Sequence, residues 1–94
     1  MNNMDTINMV ISDLEDRIKA TDKLIELNKA TLKSVINEKN YFLEKRPEDT
    51  KEIEDIDKLI ASSESMIAMH TKHKEGYLKD LEEWKKLKEE QENG

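Results

Sequence analysis

Cysteine is absent from the 94 residues, and only one proline and two glycines occur. The missing thiol excludes a disulfide framework and a thiolate metal site. So few turn-forming residues disfavour a sheet of short strands. Aromatic residues make up 4% of the chain and charged residues 40%, a composition that suits long solvated helices and disfavours a large globular core. We therefore expect one all-α domain spanning residues 1–94.

Long apolar runs are also missing. No stretch approaches the roughly 18 residues of a membrane span, and the N-terminus has no basic segment followed by an apolar run, as a signal peptide would have. These absences predict a cytoplasmic protein without membrane contacts. The net charge of −6 disfavours nucleic-acid binding, because phosphate contacts dominate such affinity. The frequent lysine, asparagine and isoleucine are typical of an AT-rich genome, such as that of a low-GC bacterium or its phage.

A heptad repeat is present in each half of the chain, and the two repeats are separated at Pro47. Spacing of this kind over six heptads predicts a coiled coil. Folding the chain back at Pro47 pairs seam residues whose numbers add up to 95, which predicts an antiparallel two-helix hairpin. The seam residues are Met4, Ile7, Ile11, Leu14, Ile18, Thr21, Ile25, Asn28, Leu32, Val35, Lys39 and Phe42 in the first half, and Ile53, Ile56, Ile60, Ser63, Ile67, His70, Lys74, Tyr77, Leu81, Trp84, Lys88 and Gln91 in the second.

The ends of the two helices can be placed from capping and helix-breaking residues. Helix one is predicted over about 5–45, with Asp5 or Thr6 as its N-cap. A turn at about 46–48 follows, because proline disfavours helical geometry in the residue before it. Helix two is predicted over about 49–91, with Asp49 as a possible cap. Gly76 is a possible kink, although the heptad register continues through it and favours a continuous helix.

Apolar residues also flank the seam, where a two-helix hairpin does not require them. They widen the apolar face toward the width that a helical bundle needs. We therefore expect the hairpin to self-associate into a homodimer or a higher oligomer, giving a four-helix or larger bundle. The flanking residues are Val10, Leu24, Ile36, Leu43, Leu59, Met66, Leu78 and Leu87.

Two regions are candidate sites for a protein partner. Residues 61–70 form the least charged stretch of helix two, and methionine adapts to irregular surfaces, so Leu59, Met66, Met69 and His73 are candidate contacts. The second region is the acidic start of helix two, which predicts a partner with a basic surface. Acids in a first helical turn also complement the helix dipole without any partner. The acidic candidates are Glu48, Asp49, Glu52 and Asp55.

Polar residues in the middle of the seam give an alternative function. Polar seam residues usually fix register and oligomeric state. They could instead line a pocket in an oligomer that sequesters a small anionic ligand or a nucleotide, with His70 and Lys74 supplying positive charge. The spacing of His70 and His73 does not match the Glu-x-x-His pattern of bundle metal sites, and no metal or cofactor is expected. The pocket candidates are Thr21, Asn28, His70, Lys74 and Tyr77.

Catalytic motifs are absent: no glycine-rich phosphate loop, nucleophile elbow or thiol occurs, so an enzyme is not expected. The length and hairpin pattern resemble the small helical-hairpin proteins of type VII secretion, whose turn carries Trp-x-Gly and whose second helix is followed by Tyr-x-x-x-Asp/Glu. Here the turn reads Lys45-Arg46-Pro47-Glu48 and Tyr77 is followed four residues later by Leu81, so no residue role is transferred. The sequence thus favours a non-enzymatic interaction protein: an adaptor, a chaperone or a phage-type inhibitor. A structural spacer or an accessory hairpin of a secretion system is the further alternative.

Overall fold

The computed structural model describes residues 3–94, which form two helices joined by a short turn. Helix α1 spans Asn3–Lys45 and helix α2 spans Thr50–Asn93, and no strand occurs in this part of the chain. The predicted all-α helical hairpin is confirmed. Helix α2 continues through Gly76 without interruption, so the heptad register was the better guide there than the low helix propensity of glycine.

The predicted N-cap of α1 is wrong. The helix already includes Asn3, so Asp5 and Thr6 lie inside its first turns. No residue before them breaks a helix, and the backbone therefore continues in helical geometry past the expected cap. Asp5 still lies in the first turn, where its negative charge complements the positive end of the helix dipole.

The turn between the helices is held by backbone hydrogen bonds on both sides of Pro47. The Arg46 amide donates to the Phe42 carbonyl at 2.8 Å, and the Asp49 amide donates to the Arg46 carbonyl at 3.1 Å. Asp49 directly precedes α2, at the position of the predicted cap, and its backbone carbonyl accepts from the Ile53 amide at 3.1 Å. Its carboxylate also lies 2.7 Å from the Arg46 guanidinium. The chain therefore reverses within four residues.

Burial along both helices follows the predicted seam. Every seam position except Gln91 is buried or half-buried. Outside the seam, Val10, Asp22 and Asp49 are the other half-buried residues in the described range, and the remaining residues are exposed. The 3.5-residue repeat therefore identifies the stripe that each helix turns toward its neighbour.

The described chain contains two compact units. The terminal unit combines α1 up to Lys23 with α2 from Thr71 onward. Here both helices contribute to one apolar cluster of buried side chains, against which Val10, Ile18, Tyr77 and Trp84 pack. The buried members of that cluster are Ile7, Ile11, Leu14 and Leu81.

The bend unit comprises Leu24–His70 and therefore contains the turn. Its buried apolar side chains are Ile25 and Ile56, and its buried polar residues are Ser63 and His70. The Lys39 ammonium joins the two helices of this unit through the Asp57 carboxylate, at 2.7 Å. Six further apolar seam residues of this unit are half-buried, and its other large apolar side chains lie outside the seam and are exposed. The half-buried residues are Leu32, Val35, Phe42, Ile53, Ile60 and Ile67.

A membrane-crossing helix is not found among residues 3–94, since neither α1 nor α2 is both long and apolar enough.

Candidate interaction surface

Each helix has two flanks beside the seam, and the contacts show which flanks lie on the same side. In heptad notation the seam positions are a and d, e lies beside a, and g lies beside d. In the bend unit Lys39, at an a position, pairs with Asp57, at an e position. In the terminal unit Lys74 (a) pairs with Asp22 (e) at 2.6 Å. Within each unit the e flanks of the two helices therefore share one side, which leaves the g flanks together on the other.

The g side of the bend unit carries an exposed surface without charge, which we call the uncharged band. It occupies all g, c and f positions from Leu24 to Ser34 on α1 and from Leu59 to Met69 on α2. All ten residues are exposed. Over the α1 span the charged residues are Glu26, Lys29 and Lys33, which lie at b and e positions facing away from the band. The band consists of Leu24, Leu27, Ala30, Thr31, Ser34, Leu59, Ser62, Ser65, Met66 and Met69.

The large side chains of the band are strongly solvent-exposed. Single exposed apolar residues are common on protein surfaces, but several on one uncharged surface indicate an interaction site. This patch lies in a chain of which 40% of residues are charged, so the local exclusion of charge is itself notable. The exposed fractions are 43% for Leu24, 64% for Leu27, 54% for Leu59, 40% for Met66 and 41% for Met69.

The opposite, e side of the bend unit is less suited to apolar contact. Ile36 and Leu43 are exposed there, but the Lys39–Asp57 ion pair lies on the same side. A partner covering this side would have to desolvate that pair, which costs free energy. The uncharged band is therefore the better candidate for binding.

Several acidic residues at the start of α2 have a basic side chain nearby, so this region carries less uncompensated negative charge than the number of its acids indicates. Its candidate residues Glu48 and Glu52 are exposed, and Asp49 is half-buried. Asp49 lies 2.7 Å from Arg46, and Asp55 lies 3.9 Å from Lys51. Two further acids of this stretch also have basic neighbours, since Glu54 lies 3.9 Å from Lys58 and Asp57 pairs with Lys39. Docking of a basic partner here stays a prediction, and the local ion pairs weaken its basis.

Of the methionine-rich candidates, Leu59, Met66 and Met69 belong to the band, whereas His73 belongs to the terminal unit. His73 lines an open surface groove of that unit. In the band's α1 half only Leu24 was singled out from the sequence, as an apolar residue beside the seam. The signal was present, because Leu24, Leu27, Thr31 and Ser34 repeat the spacing of Leu59, Ser62, Met66 and Met69. The surface groove beside His73, in the terminal unit, is also lined by Lys72, Gly76, Tyr77 and Asp80.

The pocket candidates of the terminal unit already have partners within the chain. The Thr21 hydroxyl donates to the Arg17 carbonyl at 2.7 Å. The Lys74 ammonium, which was expected to attract an anion, is compensated by Asp22. Tyr77 packs against the apolar cluster and lies under the Arg17 guanidinium, 6.0 Å from the ring centroid. The hydrogen bonds of Arg17 to Asp13 and then to Tyr77 raise the pKa of its guanidinium above the ordinary value.

In the bend unit, His70 is buried and Asn28 is half-buried. The Asn28 side-chain amide donates to the Leu24 carbonyl at 2.8 Å, one turn earlier in α1. This local hydrogen bond satisfies a polar group at the seam without any ligand. The anion-binding pocket stays a prediction, and Asp22 and Arg17 are residues near it that the seam pattern alone did not reveal.

Comparison with known proteins gives no match to a family model, to a curated protein or to a solved structure. The function is therefore argued from the surface alone.

Proposed function

We propose that this chain is a non-enzymatic, cytoplasmic interaction protein that self-associates and binds a protein partner through the uncharged band. The adaptor, chaperone and phage-type inhibitor are the roles that fit a small hairpin of this kind. The observation that carries the proposal is the exposure of Leu24, Leu27, Leu59, Met66 and Met69 on one charge-free side of the bend unit.

The spacing within the band favours a helix as the bound element. On each helix the g and c positions recur at intervals of three and four residues, as the a and d positions of a coiled-coil seam do. A second seam of this type accepts the apolar stripe of another helix. Met66 and Met69 have flexible side chains that adapt to different partners, which suits an adaptor or a chaperone.

The two alternative functions receive less support. A pocket for an anionic ligand needs uncompensated positive charge, but Asp22 lies 2.6 Å from the Lys74 ammonium. A passive spacer needs length and solubility only, and has no use for exposed leucine and methionine on one side. The band thus favours an interaction protein over a spacer.

The proposal is tested by placing charge in the band. We expect Leu59→Asp combined with Met66→Asp to abolish self-association, because a carboxylate in an apolar contact is left without a partner. Light scattering after size exclusion, from low to high micromolar concentration, measures the mass. A wild-type chain that remains an 11.0 kDa monomer throughout would show that self-association is absent.

The matched control places the same charges outside the band. Met9 and Leu78 lie in the terminal unit and are exposed to 66% and 45%. We expect Met9→Asp combined with Leu78→Asp to leave the oligomeric state unchanged. If this control disrupted association as strongly as the band variant, the terminal unit would contain the interface and the proposal would be wrong.

A further inference from the structure

We infer that the uncharged band is covered by the band of a second copy of this chain, with α1 of each copy lying on α2 of the other and both turns at the same end. This inference rests on the proposed function and specifies its interface. The product is a four-helix bundle with two-fold symmetry, in which the same surface of both copies is used.

The first argument is the equal length and level of the two halves of the band. The half on α1 extends from Leu24 to Ser34, and the half on α2 extends from Leu59 to Met69. Residues at the same level of the hairpin have numbers that add up to about 95, as the seam pairs do, so the two halves lie at nearly the same level. A two-fold axis parallel to the helices therefore places each α1 half on the α2 half of the other copy, and no charge enters the contact.

The second argument is the charge beside the band. From residue 51 to residue 86 every f position of α2 except Ser65 is lysine, as Lys51, Lys58, Lys72 and Lys79 show. If α2 lay antiparallel on α2 of the second copy about Ser65, lysine would face lysine at the four positions beside the band. Like charges across an interface are unfavourable, so this arrangement is disfavoured.

With α1 on α2, the charges of the bend unit are instead compatible. The f positions of α1 in this unit are Ala30, Asn37 and Glu44. At equal level Ala30 faces Ser65 of the second copy, and Asn37 faces Lys58. Glu44 faces Lys51, an opposite charge that orients the two chains. Within its own chain Glu44 lies 3.7 Å from Lys45 and Lys51 lies 3.9 Å from Asp55, both exposed pairs that are weak.

Beyond the bend unit, Asp16 faces Lys79, an opposite charge, whereas Lys23 faces Lys72, a like charge. One lysine pair thus opposes this arrangement, whereas all four lysines face lysines in the alternative, so the f positions favour α1 of a second copy as the occupant of the α2 half.

The test uses single cysteines, because the wild-type chain has none. Ala30→Cys and Ser65→Cys place one thiol each on the exposed f positions of α1 and α2. A short bismaleimide linker is added to each variant alone and to their mixture, after the mixture has been equilibrated. We expect a cross-linked dimer in the mixture, and less than a tenth of that yield for either variant alone.

Other cross-linking results would contradict the inference. Efficient cross-linking of each variant with itself indicates α1 on α1 and α2 on α2, and overturns the inference. A dimer by light scattering that cross-links in none of the three samples overturns it as well, while the proposed self-association stands. A chain that is monomeric at every concentration overturns both. Asn40→Cys, at an exposed b position away from the band, controls for random collision.

A charge exchange gives a second and independent readout. Glu44→Lys should weaken dimerisation about fivefold in Kd, because the two-fold axis repeats the contact with Lys51. Combining it with Lys51→Glu should restore the wild-type Kd. Failure of the double variant to restore dimerisation, with both chains fully helical, would contradict the predicted alignment of these two residues.

Discussion

The terminal unit and the bend unit share one heptad register but distribute their apolar residues differently. The terminal unit buries a contiguous cluster around Ile7, Ile11, Leu14 and Leu81. The bend unit buries Ile25 and Ile56 together with the polar Ser63 and His70. Most of the exposed large apolar residues lie in the bend unit, which exposes Leu24, Leu27, Ile36, Tyr41, Leu43, Leu59, Met66 and Met69, whereas the terminal unit exposes Met9, Leu78 and Leu87.

This difference indicates that two regions with the same seam pattern can have different roles. Burial of apolar surface is the dominant favourable contribution to folding, and the terminal unit obtains it within one chain. In the bend unit a large share of the apolar surface lies on the flanks, where only another molecule can bury it. We therefore expect the terminal unit to contribute most of the intrachain stability, and the proposed binding to involve the bend unit.

The strongest test of this assignment compares the same substitution in the two units. Leu81 is 9% exposed in the terminal cluster, whereas Leu59 is 54% exposed in the band. We expect Leu81→Ala to lower the free energy of unfolding by about 2–5 kcal/mol, because it removes buried apolar contacts and leaves a cavity. Leu59→Ala should change it by less than about 0.5 kcal/mol. Urea denaturation at a concentration where the chain is monomeric measures both values, and equal losses would break the comparison.

A smaller effect is expected at Gly76 in the terminal unit. Apart from the adjacent residues and the backbone of its own helical turns, a Cβ atom placed there meets no atom within 4 Å, so no tertiary contact in the described chain requires glycine. Gly76→Ala should therefore raise the free energy of unfolding by about 1 kcal/mol through helix propensity. Ser65→Ala, at an exposed position of the bend unit, is the reference and should give about half of that gain. A loss of stability in Gly76→Ala would show that the helix needs a glycine here.

The seam itself was predictable from sequence because it is a property of local periodicity. Each heptad places its a and d side chains on one stripe, and folding at Pro47 turns the two stripes toward each other. Lys39, Lys74 and Lys88 at seam positions did not obscure the pattern, since all three are half-buried. A long stem lets lysine pack beside a seam while its ammonium reaches water or an acid.

The partners of the charged residues were not predicted, because the seam pattern does not by itself state which flanks share a side. Asp57 and Asp22 lie at e positions and reach Lys39 and Lys74 across the hairpin. Both pairs have residue numbers that add up to 96, one more than the seam pairs, so extending the seam pairing to the neighbouring e positions could have found them. The ion pairs of the acidic region were missed for a related reason. Counting acids ignores bases one turn away, such as Lys58 beside Glu54.

The smallest predicted effect concerns those two ion pairs, which are matched across the units. Both have short distances, 2.6 Å for Lys74–Asp22 and 2.7 Å for Lys39–Asp57, and in both the side chains are about one third to one half exposed. Solvent screening at such exposure limits the coupling energy to about 0.5 kcal/mol each. Double-mutant cycles with Lys→Met and Asp→Asn substitutions should therefore give equal values in the two units, and added salt should reduce both. Equal coupling energies would mean that the two units differ in where their apolar residues lie and not in their ion pairs. A much larger coupling energy in one unit would mean that the ion pairs also contribute to the difference between the units.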